Sequence, residues 1–176
     1  MDGFVSLFIT GGVVSDLQTV PMMNTMDMNS VIETLRGTLV PETREQSERN
    51  LESLQKIIGF CPSLLQVVMT TDLDMPVRQA GVIYFKNLVT GFWVAKEDSN
   101  KKSDIPDHLK PTNTSFSLHE QDRAMIRDNI VDAITAAPDQ VRIQLLVCVK
   151  VIIRHDFPGK WTNLVDKINL CFQSGE

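Results

Sequence analysis

From Met26 onward, apolar residues recur at three- and four-residue intervals, the spacing that gathers them on one face of a helix. Ile32, Leu35 and Leu39 form the first such stripe, with Asp27 or Asn29 available as its N-cap. Pro41 opens a second helix, because the first turn needs no N–H at that point; it carries Leu51, Leu54 and Ile58. Gly59 sits where that helix wants a C-terminal cap. Pro62 starts a third helix with Leu64, Leu65, Val68 and Met69, and Asp74-Met75-Pro76 starts a fourth. There Val77, Gly81, Tyr84 and Leu88 share a stripe that Ala80, Ile83 and Val89 widen. A face this broad predicts packing against more than one neighbour.

Residues 94–117 break the pattern with a 24-residue polar stretch, KEDSNKKSDIPDHLKPTNTS at its heart. It is too long and too polar for an ordinary connection and reads as a flexible loop. Ser117-Leu118-His119-Glu120 fits a capping box, and the helix after it shows Ile126, Ile130, Ala133, Ile134 and Ala137 at helical period. Pro138-Asp139 ends that helix and caps the next run, VRIQLLVCVKVIIRHDF. Its valines and isoleucines resemble a strand, but its length and the Leu145, Val149, Ile152 spacing predict a buried helix ended by Pro158. A last helix holds Trp161, Leu164, Val165, Ile168 and Phe172.

An internal repeat lies behind these elements. Val77-Arg78 and Lys86 return as Val141-Arg142 and Lys150, with the same separation between arginine and lysine. The arginines are 64 positions apart, and leaving out the 24-residue loop brings this to 40. That is the period of HEAT-type helical pairs, and Arg44 marks an earlier copy. Helices in short-loop pairs at this period predict an all-α chain, an α-solenoid of HEAT-type hairpins that stops in its fourth repeat.

Composition adds little to this picture except exclusions. At 43% hydrophobic and 22% charged the chain is globular, and a net charge of -5 argues against a nucleic-acid partner and fits a basic one. Residues 1–25 contain the apolar FVSLFI, but Asp2 replaces a basic start and Gly11-Gly12 cuts the run short of a membrane span. They are expected to be a disordered extension, with the folded unit at 26–176. Cys61, Cys148 and Cys171 form no C-x-x-C pair, and His108, His119 and His155 have no metal-ligand spacing, so neither metal nor other cofactor is expected. Thr10-Gly11-Gly12 lacks the lysine of a phosphate loop, and no serine or cysteine has a nucleophile motif around it. His155-Asp156 could pass for a catalytic dyad, but a histidine near the negative end of a helix is ordinary. The chain does not read as an enzyme.

The segment LLQVVMTTDLDMPVRQAGVIYFKNL resembles the N-terminal domain of the importin-β (karyopherin-β) nuclear transport receptors. MDMNSVIETLRGTL, RQAGVIYFKN, IRDNIVDAI and HDFPGKWTNLVDKI are most similar to the importin seven/eight branch, and the resemblance runs from Met26 to the end. It implies a HEAT superhelix that binds the GTP-loaded small GTPase Ran, in cytoplasm and nucleus, with no nucleic-acid or membrane partner. Cargo and nucleoporin contacts would lie in later repeats, absent here. The second helix of each pair would line the concave face: 41–58, 76–93 and 139–156. Lys86 and Asn87 match the family's Lys-Asn pair and are expected to meet Ran; Arg78 and Gln79 match its Arg-Gln. Two structural readings stay open beside this, Arg78 holding a neighbouring loop and Asn87 bridging helices. Family members are several times longer, so a fragment or truncated isoform is expected, with no partner for one face of the Trp161–Phe172 helix. The competing functions are a HEAT scaffold indifferent to nucleotide and an inert truncated product, with an exportin-like receptor a close neighbour of the leading one.

Overall fold

The computed structural model describes residues 27–94 and 116–173, so the expectations for residues 1–25 and for most of the 94–117 loop lie outside the described residues. Among the described residues there are seven helices and no strand: α1 (Met28–Leu39), α2 (Arg44–Leu54), α3 (Phe60–Met69), α4 (Met75–Phe92), α5 (Glu120–Ala136), α6 (Asp139–Asp156) and α7 (Leu164–Gln173). They pair as hairpins, α1 with α2, α3 with α4 and α5 with α6. The first helices α1, α3, α5 and α7 follow one another in one layer, while α4 and α6 lie side by side in the other. This is the helical-hairpin solenoid that the repeat predicts.

Local chemistry explains most of the boundaries. The Asp27 side chain accepts the Asn29 N–H at 3.1 Å and caps α1. Pro76 sits in the first turn of α4, where its missing N–H costs no helical bond. Pro41, by contrast, does not start α2. It lies in a turn held by Thr43 Oγ1 donating to the Gly37 carbonyl at 2.9 Å, and α2 begins at Arg44. Nor does Gly59 cap α2, which ends at Leu54; it precedes α3 with φ of 93°. A left-handed backbone there turns the chain into α3, and glycine adopts it without a Cβ penalty. The Ser117–Glu120 capping box is replaced by His119, whose Nδ1 accepts the Gln121 N–H at 3.2 Å.

The core runs continuously between the layers. Val31 and Leu35 of α1, Leu64 and Val67 of α3, and Val82, Phe85 and Val89 of α4 are fully buried, and Ile126, Ile130, Leu145 and Ile152 extend the core through α5 and α6. Each such side chain stabilises by roughly 1.5–3 kcal/mol. The first stripe differs from the expected one at its ends: Leu35 is buried as expected, but Val31 is buried, Ile32 half-buried and Leu39 exposed. Gly81 permits close approach of α3 to α4, because a Cβ there would lie 3.3 Å from Val67 Cγ1. The expected buried helix α6 is buried on one side only: Ile143 is 60% exposed, and Leu146, Val147 and Ile153 are also open. On α7, Val165, Ile168, Leu170 and Phe172 are exposed, whereas Trp161, just ahead of it, is buried.

A polar network closes the third hairpin and ties it to the second. Arg127 pairs with Asp156 at 2.6 Å and with Glu120 at 2.6 Å, and Arg123 pairs with Glu120 at 2.9 Å. Asp122 accepts the Gly59 N–H at 2.9 and 3.1 Å, joining α5 to the entry of α3. Burial would raise the Glu120 carboxyl, but the Arg127 hydrogen bond and the charges of Arg123, Arg127 and Lys160 outweigh it and hold it below the usual range. A depressed acid stabilises the fold above its unfolded pKa of about 4.3 and loses that contribution as the pH falls through its folded value. Glu120→Gln will therefore melt below the wild type near neutral pH, and the gap will close on acidification. A gap that stays constant across a pH series of thermal melts would contradict the ion-pair assignment.

Candidate functional site

The register of the second-helix layer is set by three arginines that repeat one bond. Arg44 Nε donates to the Thr38 carbonyl at 3.0 Å, Arg78 Nε to the Val68 carbonyl at 2.9 Å, and Arg142 Nε to the Ile134 carbonyl at 3.1 Å. Each arginine stands in the first turn of α2, α4 or α6 and reaches a carbonyl near the end of the preceding helix. Those last-turn carbonyls have no partner within their own helix, so the guanidinium satisfies them. The arginine of the Arg–Lys repeat thus closes the hairpin. Arg78 is only 6% exposed, held by this bond.

The remaining candidates lie on the open side of α4. Lys86 is half-buried and Asn87 exposed, and neither side chain has a hydrogen-bond or ion-pair partner among the described residues. Their backbone carbonyls accept from Thr90 Oγ1 at 2.8 and 3.3 Å, so they sit on a regular, well-braced turn. Lys86 lies at the seam between α4 and α6. Burial pushes the Cys148 thiol on α6 up to about 12, and the Lys86 charge acts on it in the opposite sense. Gln79, near the start of the same helix, donates through Nε2 to Gln140 Oε1 of α6. Lys86, Asn87 and Gln79 therefore share one helix edge, while Arg78 points back into the hairpin.

The same geometry brings in residues that the sequence reading leaves aside. Lys150 and Arg154 of α6 are exposed, and Lys150 occupies on α6 the place that Lys86 has on α4, eight residues past the arginine. Val147 and Ile83 likewise correspond, five residues past the arginine, and both are exposed. The repeat offset alone could have found them; their apolar character instead assigned them to the core. On α2 three glutamates and two arginines are exposed, with Glu45 paired to Arg49 at 2.6 Å and Glu48 and Glu52 in no ion pair among the described residues. The layer thus carries carboxylates without an ion pair on α2, Lys86 on α4, and Lys150 and Arg154 on α6.

Asp156 is consumed by its ion pair with Arg127, and His155 is exposed beside it. Among the described residues, no group of three or more His, Cys, Asp or Glu side chains is placed to hold a metal ion. Among them too, no helix is long and apolar enough to cross a membrane. What the layer offers is a helical surface bearing exposed charged side chains.

Comparison with known proteins gives a consistent picture. Residues 47–136 match the importin-beta N-terminal domain. Importin-8 of Mus musculus is 46% identical over 149 residues, which cover 85% of this chain and 14% of that protein. Exportin-2 of Drosophila melanogaster is 34% identical over 136 residues, 77% of this chain and 13% of that protein. A solved exportin in its cargo-free, cytoplasmic state matches with a TM-score of 0.68 at 26% identity, covering 81% of this chain and 14% of that one. The chain spans about 14% of the length of the curated importin relatives it matches.

Proposed function

This chain belongs to the importin-beta N-terminal domain family, the N-terminal region of nuclear transport receptors, and on that premise we propose that it binds GTP-loaded Ran through its second-helix layer. The observation that carries the reading is the pair Lys86-Asn87, whose side chains have no hydrogen-bond or ion-pair partner among the described residues, on the open edge of α4 beside the basic residues of α6. In this reading Lys86 and Asn87 touch the GTPase, Gln79 supports the α4–α6 edge, and Arg78 acts by holding α4 in place. The step is recognition without chemistry: the GTP-bound conformation is selected because it alone presents the complementary surface. The work would be done in nucleocytoplasmic protein transport, in both cytoplasm and nucleus. Higher identity to importin-8 than to exportin-2 favours the import direction. Cargo and nucleoporins would be held by regions outside the 26–176 unit.

Titration with Ran carrying a GTP analogue tests the contact. Lys86→Ala will weaken binding roughly tenfold, about 1.4 kcal/mol, and flatten its salt dependence. Its melting temperature will stay close to that of the wild type, because the ammonium has no hydrogen-bond or ion-pair partner among the described residues. Unchanged affinity in a folded variant would remove Lys86 from the contact.

A further inference from the structure

Of the three hairpins, the first is closed by the least deeply packed helix. α2 has the sequence REQSERNLESL, and of its residues only Ser47 and Leu51 are buried, with Leu54 half-buried against the core. By contrast α4 buries eight residues and α6 five. The helix that α2 packs against is α1, whereas α4 and α6 pack on each other as well as on their hairpin partners. Where α2 would meet α4 lies an open groove of about 280 Å³, with Glu48 on one side and Gln79, Ile83 and Tyr84 on the other. α1 does not depend on α2 for its place, because it also packs on α3 and α4. Eleven residues are too few for a helix to persist alone in water. The Glu45–Arg49 and Gln46–Asn50 pairs on its surface add little, and its N-cap, Thr43, makes no side-chain cap bond. Both ends are nevertheless tied. At the start, Thr43 Oγ1 donates to the Gly37 carbonyl at 2.9 Å and Arg44 Nε to the Thr38 carbonyl at 3.0 Å. There too α2 comes so close to α1 that a Cβ on Gly37 would fall 2.1 Å from Ser47 Oγ. Past the other end, the Gly59 N–H donates to Asp122 of α5 at 2.9 Å.

We propose that α2 is a strap, anchored at both ends, that opens as a unit while α1 and α3 to α6 stay folded. Stability is uneven within a fold, and elements with few buried apolar contacts open first. Opening withdraws Glu48 from the groove and uncovers the side of α1 on which α2 packs, so the strap sets how far the Ile83–Tyr84 wall of α4 is open. This goes beyond the GTPase reading, which gives no residue of α2 a part.

Hydrogen–deuterium exchange of the whole chain, read by mass spectrometry without Ran, tests the strap. The amides of residues 44–54 will exchange at least roughly a hundredfold faster than the slowest amides of α4 and α6. Ile152→Val, a small truncation at a fully buried position of α6, will speed the slowest α6 amides roughly fivefold. It will leave α2 unchanged, because α2 opens without α6 unfolding. Leu51→Ala removes the one fully buried apolar side chain of α2 and will speed its exchange roughly tenfold. The proposal is overturned if α2 is protected as strongly as α4 and α6, if Ile152→Val speeds α2 by the same factor as α6, or if Leu51→Ala leaves the exchange of α2 as it was. Because Ran is absent from the assay, failure here and failure of the GTPase reading are told apart.

Discussion

Replacing Arg127 by alanine will destabilise the domain by roughly 3–5 kcal/mol, the usual consequence of stranding a buried charge. The Asp156 side chain is 2% exposed and faces the Arg127 guanidinium at 2.6 Å. With the cation gone, that carboxylate keeps its desolvation penalty and loses its compensation. Domains of this kind are held by only about 5–15 kcal/mol, so the variant will sit near the edge of folding. Urea unfolding at neutral pH reads the effect as a lower midpoint at constant slope. The double variant Arg127→Leu, Asp156→Leu removes both charges and will recover most of the loss, since apolar replacements of buried ion pairs are often neutral or better. A single-variant loss under about 1 kcal/mol would mean that water reaches Asp156, contrary to its burial.

The second large effect separates scaffold from contact within one short motif. Arg78→Ala will cost roughly 1–3 kcal/mol, because it leaves the Val68 carbonyl without its 2.9 Å bond and removes a buried stem. Arg142→Ala, half-buried but bonded to both Ile134 and Ala137, will lose less, and exposed Arg44→Ala least. Lysine will not rescue position 78, since its point charge cannot reproduce the directed Nε bond. Thermal melts order the three variants. If Lys86→Ala lowered the melting temperature as far as Arg78→Ala, the division of the motif into a clamp and a free contact would be wrong.

Much of this architecture is legible in the sequence. The hairpin order and the arginine register follow from helical period and one internal repeat, and the third arginine, Arg44, makes the same bond as the other two. What a single sequence hides is direction within an apolar run. Ile83 and Tyr84 look like members of the α4 stripe, yet they line an open groove whose far wall is the distant α1–α2 turn. Ile143, Leu146 and Val147 look like core for the same reason: periodicity marks a face but not what covers it. Arg78 carries both a binding and a structural reading, and only the carbonyl of Val68, ten residues away, decides where its guanidinium goes. Gly59 misleads because a left-handed glycine serves the start of α3 as well as the end of α2.

The central claim is that the second-helix layer distinguishes the two nucleotide states of Ran. The direct measurement is a pair of titrations at one fixed salt concentration, the purified chain against Ran loaded with a GTP analogue and against Ran loaded with GDP. The account predicts clear preference for the GTP form, largely lost in Lys86→Ala. Equal affinity for both forms, or none for either by a cooperatively folded chain, would contradict it and leave a helical scaffold without GTPase dependence.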